Sequence, residues 1–175
     1  MTQAEFLEYF DKIRARTRRV AALIPADRVE WALKSGGMTI GDLVRHIAVT
    51  EREMWAETVA GRPSRYRSHG RELADGKDAI LALLDRLHAE AMSIFAGLTP
   101  AAFAGKCRTP AGAEMTVGKW LRAMIEHEVH HRGQLYMMLS VLDVPTPPLF
   151  GLTSEELRAI PPTPRSRSAT TTSPT

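Results

Sequence analysis

The chain holds one cysteine, Cys107, among its 175 residues. No intrachain disulfide can form, which excludes a disulfide scaffold and a CxxC zinc site and fits a reducing compartment. Long apolar runs are missing too. The longest are short pieces such as Val20 to Ile24, far below the roughly 18 residues that a membrane helix needs. The opening MTQAEFLEYFDKIRAR sets acids among its apolar residues, so it does not read as a signal peptide. Nor does one sign of charge dominate. Lysine and arginine total 23 against 20 acids. The last fifteen residues carry two arginines and no acid, so the rest is nearly balanced, at 21 against 20. A nucleic-acid binder concentrates basic charge on one face. The one basic cluster here, Arg14 to Arg19, reads instead as a solvated helix face. These absences predict a cytoplasmic protein with no nucleic-acid or membrane partner.

What is present is an ordinary globular mixture, 44% hydrophobic and 25% charged, at a one-domain length. Phe6, Phe10, Ile13, Thr17, Val20 and Ile24 recur at three-and-four spacing, the stripe of a helix that Pro25 ends. A connector over 25–38 carries Trp31 and the pair Gly36-Gly37. A second helix opens at Thr39, a good N-cap with Asp42 three residues on. Ile40, Leu43, Ile47 and Met54 form its core stripe, and it fades near Gly61. Residues 61–77 read as a long, Arg-rich loop. A third helix runs from about Lys77 to Ala96, stopped by Gly97 and Pro100. The segment 101–115 forms a small hairpin or a loop. A fourth helix opens at Thr116, with Val117, Leu121, Met124, His131, Leu135, Met138 and Leu142 in its stripe. A short helix is predicted after the capping box Thr153 to Glu156, and a disordered Pro/Ser/Thr tail over 161–175. The whole predicts one domain over 1–160, an all-α four-helix bundle.

The histidines carry the chemistry. At about 100° per residue, His131 lies about 20° and His127 about 60° from Met124, on one side of the fourth helix. They sit at i and i+4, so they project as neighbours. His130 turns outward. On the second helix, His46 borders the apolar seam next to Thr50 and Glu53. Burying two imidazoles without partners costs on the order of 1–3 kcal/mol each, so the pair needs a shared reason. A divalent ion supplies one: imidazoles at i and i+4 reach it at about 2.0–2.1 Å, and His46 from a facing helix completes a facial set with open positions. Glu53 and Glu128 are candidates for a base or for orienting a ligand. Gln134 is a candidate for bonding substrate or metal-bound water. Arg132 either meets an anionic substrate or forms a structural ion pair. His69 and His88 are placed in solvent. Trp31, Trp55 and Trp120 read as core or pocket walls, and Cys107 as a bystander. The run His127-Glu-Val-His-His131 also has the form HExxH, the zinc-protease pattern, with Glu155 and Glu156 downstream. A zinc protease leaves His46 without a role. A non-catalytic metal or small-molecule binder is the remaining alternative. The substrate pocket is expected among loop 61–77, segment 101–115 and Trp120.

Met38-Thr-Ile-Gly-Asp-Leu-Val-Arg-His-Ile-Ala48 with Glu51, and His127-Glu-Val-His-His-Arg-Gly-Gln134, resemble the two signature segments of the DinB superfamily. Trp31, Thr116 to Leu121 and Pro148 to Thr153 are similar to its pattern as well. The resemblance covers about residues 1–160. It implies an up-down-down-up four-helix bundle with a long crossover. It also implies a three-histidine site for zinc, nickel or another divalent ion, at positions matched by His46, His127 and His131. Some relatives use a low-molecular-weight thiol in transferase or isomerase reactions, and members often form homodimers. A metal-dependent hydrolase or a thiol-dependent S-transferase acting on a small molecule is the function the resemblance implies.

Overall fold

The computed structural model describes residues 1–152 and 154–161. Four long helices make up the bundle: α1, Gln3–Ala21; α2, which begins as Ile40–Thr50 and continues through Glu51–Ala56 and Glu57–Val59; α3, Lys77–Ala96; and α4, Val117–Val141. The Thr39 hydroxyl accepts from the Asp42 N–H at 2.9 Å while Asp42 accepts from the Thr39 N–H at 3.0 Å. This reciprocal box starts α2 where the sequence placed it. A second such box, Thr2 with Glu5, starts α1.

Cross-helix bonds fix the directions. Gln3 reaches the Phe95 carbonyl and Arg18 reaches Asp85, so α1 and α3 are antiparallel. Gly41 lies against Ile80 and Arg52 bonds Glu90, so α2 and α3 run together. Trp120 bonds Thr58 and His131 faces His46, so α2 and α4 oppose. Arg14 pairs with Glu128 and Arg132 with Thr17, so α1 and α4 are parallel. The order is up, down, down, up, and the long crossover is residues 60–76. Between α3 and α4, a short helix, Pro100–Ala104, leads into a hairpin. Its strands, β1 Lys106–Arg108 and β2 Glu114–Thr116, pair antiparallel with Cys107 opposite Met115. A last short helix, Ser154–Ala159, follows α4. Thr153 and the tail over 162–175 lie outside the described residues, so the capping box and the tail fall there.

The core is split in two. One apolar cluster gathers Val20, Ile47, Leu84 and Leu135; the other gathers Phe6, Phe10, Trp55, Phe95 and Leu121. A polar layer separates them across all four helices: Arg14 and Thr17, Glu51, His88, Glu128 and Arg132. Arg14 is only 4% exposed, yet the sequence suggested a solvated face. Its guanidinium pairs with Glu51 and with Glu128, the latter at 3.1 Å. His88, expected in solvent, is drawn inward because its Nδ1 bonds Glu51 at 2.8 Å. Arg132 is buried as well and donates to the Ile13 carbonyl and to Thr17 at 3.2 and 3.3 Å. It serves the fold through these bonds to α1.

Candidate metal centre

The buried side of α4 carries Glu128 and Arg132 as well as Met124 and Leu135. Its centre is therefore displaced by about 40° toward Glu128 from the line through Met124. That displacement leaves His127 and His131 half-buried at the edge of the seam, facing α2. On α2, the helix widens to π-helical geometry over Glu51–Ala56. Each π-helical residue turns less than 100°, so the wheel shifts phase across this segment. Trp55 is buried in place of Met54. Its ring lies 4.8 Å from that of His127 and 5.5 Å from that of Trp120. Such π segments are frequent at functional sites.

His46, His127 and His131 converge. The Nε2 of His127 lies 3.0 Å from the Nε2 of His46 and 3.0 Å from the Nε2 of His131. One ligand atom from each lies within 4.8 Å of the others, in the one such group among the described residues. The outer nitrogens are held. His131 Nδ1 is 2.6 Å from Gln134 Oε1, and His46 Nδ1 is 2.9 Å from the Tyr66 hydroxyl. That hydroxyl is also 2.7 Å from Nδ1 of His69. An amide oxygen only accepts, so His131 carries its proton on Nδ1 and its Nε2 is bare. A phenol has one proton. When Tyr66 donates it to His69, His46 donates from Nδ1 and its Nε2 is bare too.

Burial, followed by the neighbouring imidazoles, holds the pKa of His46 down to about 4 and that of His127 to about 3. His131 is lowered as well, chiefly by burial. His46 and His131 thus present bare Nε2 atoms to the Nε2 of His127. A proton on that nitrogen serves one of them at most, and with the proton on Nδ1 instead all three rings offer lone pairs to one point. This donor set suits a divalent cation, and a 3.0 Å spacing is what two bonds of about 2.1 Å subtend near a right angle.

The carboxylates suggested by the sequence are not brought to this point. Glu53 is engaged by Arg65, at 2.9 Å, from the crossover. Glu128 is 2% exposed in the polar layer beside Arg14. Burial raises its pKa, against the pull of Arg14. In the HExxH reading this glutamate must face the ion as base, and it does not. Glu155 and Glu156 stand exposed on the terminal helix. Gln134 is at the site, but it spends its carbonyl on His131. Tyr66 and His69 were missed. His69 is half-buried, 5.4 Å ring to ring from His46. The only sequence signal for them was a histidine and a tyrosine three residues apart in a long loop.

Two openings flank the centre. A groove of 630 Å³ runs along α4 past His131, Gln134, Met137 and Met138, with Leu33 and Met38 opposite. A cleft of 560 Å³ lies between the crossover and the hairpin, with Tyr66 in its wall. Loop 61–77 and segment 101–115 do line this cleft together. Trp120 stands behind it, donating to Thr58 at 2.9 Å.

An up-down-down-up bundle with three imidazoles converging from its second and fourth helices is the class of protein that these features define. Residues 9–135 match the DinB superfamily, and the chain belongs to that family. A DinB-like protein from Bacillus cereus ATCC 10987 superposes with a TM-score of 0.73 at 15% identity, covering 85% of this chain and 99% of that one. YfiT from Bacillus subtilis, described as a probable metal-dependent hydrolase with an unusual four-helix bundle topology, gives 0.65 at 15% identity, over 82% and 89%. A mycothiol-dependent maleylpyruvate isomerase gives 0.64 at 16%, over 77% of this chain but only 61% of that one. At these identities the likeness is one of fold. No curated protein matches the sequence. Among the described residues no helix is long and apolar enough to cross a membrane.

Proposed function

We propose that this chain is a metal-dependent enzyme acting on a small molecule, with one zinc, nickel or similar divalent ion held by His46, His127 and His131. The reaction is hydrolysis, or S-transfer with a low-molecular-weight thiol as second substrate. The observation that carries this reading is the meeting of three Nε2 atoms, that of His127 lying 3.0 Å from each of the other two. Three protein ligands leave positions open, unlike a closed structural site. When bound, such an ion lowers the pKa of a water or thiol on it and polarises a carbonyl.

The chain's own residues do the rest. Gln134 keeps the His131 proton on Nδ1. Tyr66 accepts from His46 Nδ1 and passes its own proton toward His69. Trp55 shields one side of His127 from water. The descriptions of YfiT and of the isomerase support hydrolysis and thiol chemistry respectively. A cytoplasmic homodimer is proposed with this reading, supported by the exposed Met137 and Val141 on α4.

Elemental analysis tests the centre. Wild-type protein is expected to carry one ion per chain, and His46→Ala, His127→Ala and His131→Ala to carry none. A wild type that holds no ion, or variants that keep theirs, overturns the assignment. Thiol-transfer and hydrolysis rates of metal-loaded wild type against His131→Ala then decide between the two reactions.

A further inference from the structure

The cleft between the crossover and the hairpin has an uneven charge. Its lining is Thr58, Gly61, Arg62, Pro63, Ser64, Tyr66, Arg108, Thr109, Pro110 and Gly112. Two arginines are among these residues and no acid is. Arg62 is answered from behind: its Nε lies 2.6 Å from Glu57 Oε2, and that pairing is the largest cause of the low Glu57 pKa. Arg108 stands on β1 with no carboxylate within ion-pair distance among the described residues. β1 is anchored on both sides, by β2 and by its packing on the last turn of α2, so the Arg108 backbone is fixed. Ser64 and Thr109 add hydroxyls to the same wall.

The cleft reaches the metal centre through one residue. Tyr66 lines it and bonds His46 Nδ1 at 2.9 Å. A volume of 560 Å³ lies in the range of small-molecule sites. An arginine with a free planar fork is the side chain best suited to grip a carboxylate by two parallel bonds.

We propose that this cleft is the substrate's anion subsite: the substrate is a small organic carboxylate whose charged end is held by Arg108, which leaves its reacting end toward Tyr66 and the three histidines. This rests on the metal reading only for the identity of the reacting centre; the cleft and its charge stand without it. Arg108 is a binding and specificity residue here. A neutral analogue loses the ion pair and leaves the arginine unanswered.

The test uses succinate as probe, with succinamide as its uncharged counterpart and inorganic phosphate as a non-carboxylate anion. Trp120 donates to Thr58, a cleft residue, so its emission reports occupancy without any turnover. Succinate is expected to shift tryptophan emission saturably in the wild type. Arg108→Ala is expected to weaken it about tenfold, the loss of one charge-assisted pair. Arg108→Lys should recover part of the affinity, and Arg86→Ala, on the outer face of α3, should change nothing. Succinamide should not bind, and phosphate should compete weakly. Equal affinity in wild type and Arg108→Ala, equal binding of succinamide, or phosphate binding tighter than succinate overturns the proposal. The titration is repeated in His131→Ala. Succinate binding retained there, with metal lost, supports the cleft even where the metal chemistry fails. Metal bound by the wild type without any succinate response sinks the cleft alone. Arg108 is exposed, and thermal melts of both variants establish that they fold.

Discussion

The Tyr66 hydroxyl lies 2.9 Å from Nδ1 of His46. A crossover residue therefore orients an imidazole carried by α2, twenty positions earlier in the chain. The crossover is itself tied to α2 next to the site. The Arg65 N–H donates to the Glu53 carbonyl at 2.7 Å, and the Arg65 guanidinium pairs with the Glu53 carboxylate. The loop thus completes the centre.

Tyr66→Phe should lower metal affinity by about 10–100-fold, the usual cost of losing a partner that orients a ligating histidine. The ring still packs, so helix content, and the melting temperature of the metal-free protein, should stay at wild-type values. Competition against a chelator of known affinity measures it. An unchanged affinity would show that the bundle alone sets His46.

Removing the ion should not unfold the bundle. Both apolar clusters draw on all four helices, and although Trp55 of the second touches His127, neither needs an ion to form. An ion that binds only the folded state raises stability by RT ln(1 + [L]/Kd), about 2.7 kcal/mol at a hundredfold excess over Kd. Chelation is therefore expected to lower the melting temperature while circular dichroism at 25 °C remains helical. Loss of the helical signal on chelation would make the centre a structural one.

The bundle and its three histidines were legible because they depend on local spacing. Apolar residues at three-and-four intervals mark the helices, and His127 and His131 share a face wherever that segment is helical. What was hidden depends on distant partners. Arg14 looks solvated until Glu51 and Glu128 arrive from two other helices to meet it. His88 looks outward until Glu51 takes its Nδ1. Trp55 displaces Met54 from the seam because the π turn shifts the phase, and a uniform 100° wheel carries no sign of that. Tyr66 and His69 reach the site only by the path of the crossover, which periodicity does not describe.

Arg14→Met should cost about 3–5 kcal/mol, because it leaves two buried carboxylates without their cation. Arg18→Met is the matched surface control. Arg18 meets Asp85 at 2.8 Å, but in solvent, where a pair contributes below about 1 kcal/mol. Urea denaturation of both compares them. Equal losses would mean that the polar layer carries no special weight.

Gly41 is required by contact. A Cβ there would stand 2.8 Å from Val29 Cγ1 and 2.9 Å from the Val29 carbonyl oxygen. The Gly41 N–H donates to that same carbonyl at 2.7 Å, so the connector cannot retreat without losing the bond. Gly41→Ala is expected to destabilise by about 1–3 kcal/mol through overpacking, despite alanine's better helix propensity. A variant as stable as wild type by denaturant midpoint would show that the connector gives way freely.

The last prediction concerns acid. The Arg62 guanidinium, with Arg52 beside it, holds the Glu57 carboxyl at about 2, well below its usual 4.5, while burial opposes them. In the unfolded chain these partners are gone and the carboxyl titrates near its usual value. Between those two values the unfolded state binds more protons than the folded state, so stability falls as pH falls. The stabilisation from Glu57 is complete above about pH 4.5 and is lost toward pH 2. Glu57→Gln removes the titrating group. At pH 7 the variant should be less stable than wild type, since it lacks the pairs to Arg52 and Arg62. As pH drops from 4.5 toward 2 the two stability curves should converge. Urea midpoints at half-unit pH steps measure this, and curves that stay parallel through the window would show that Glu57 is not held ionised by its arginines.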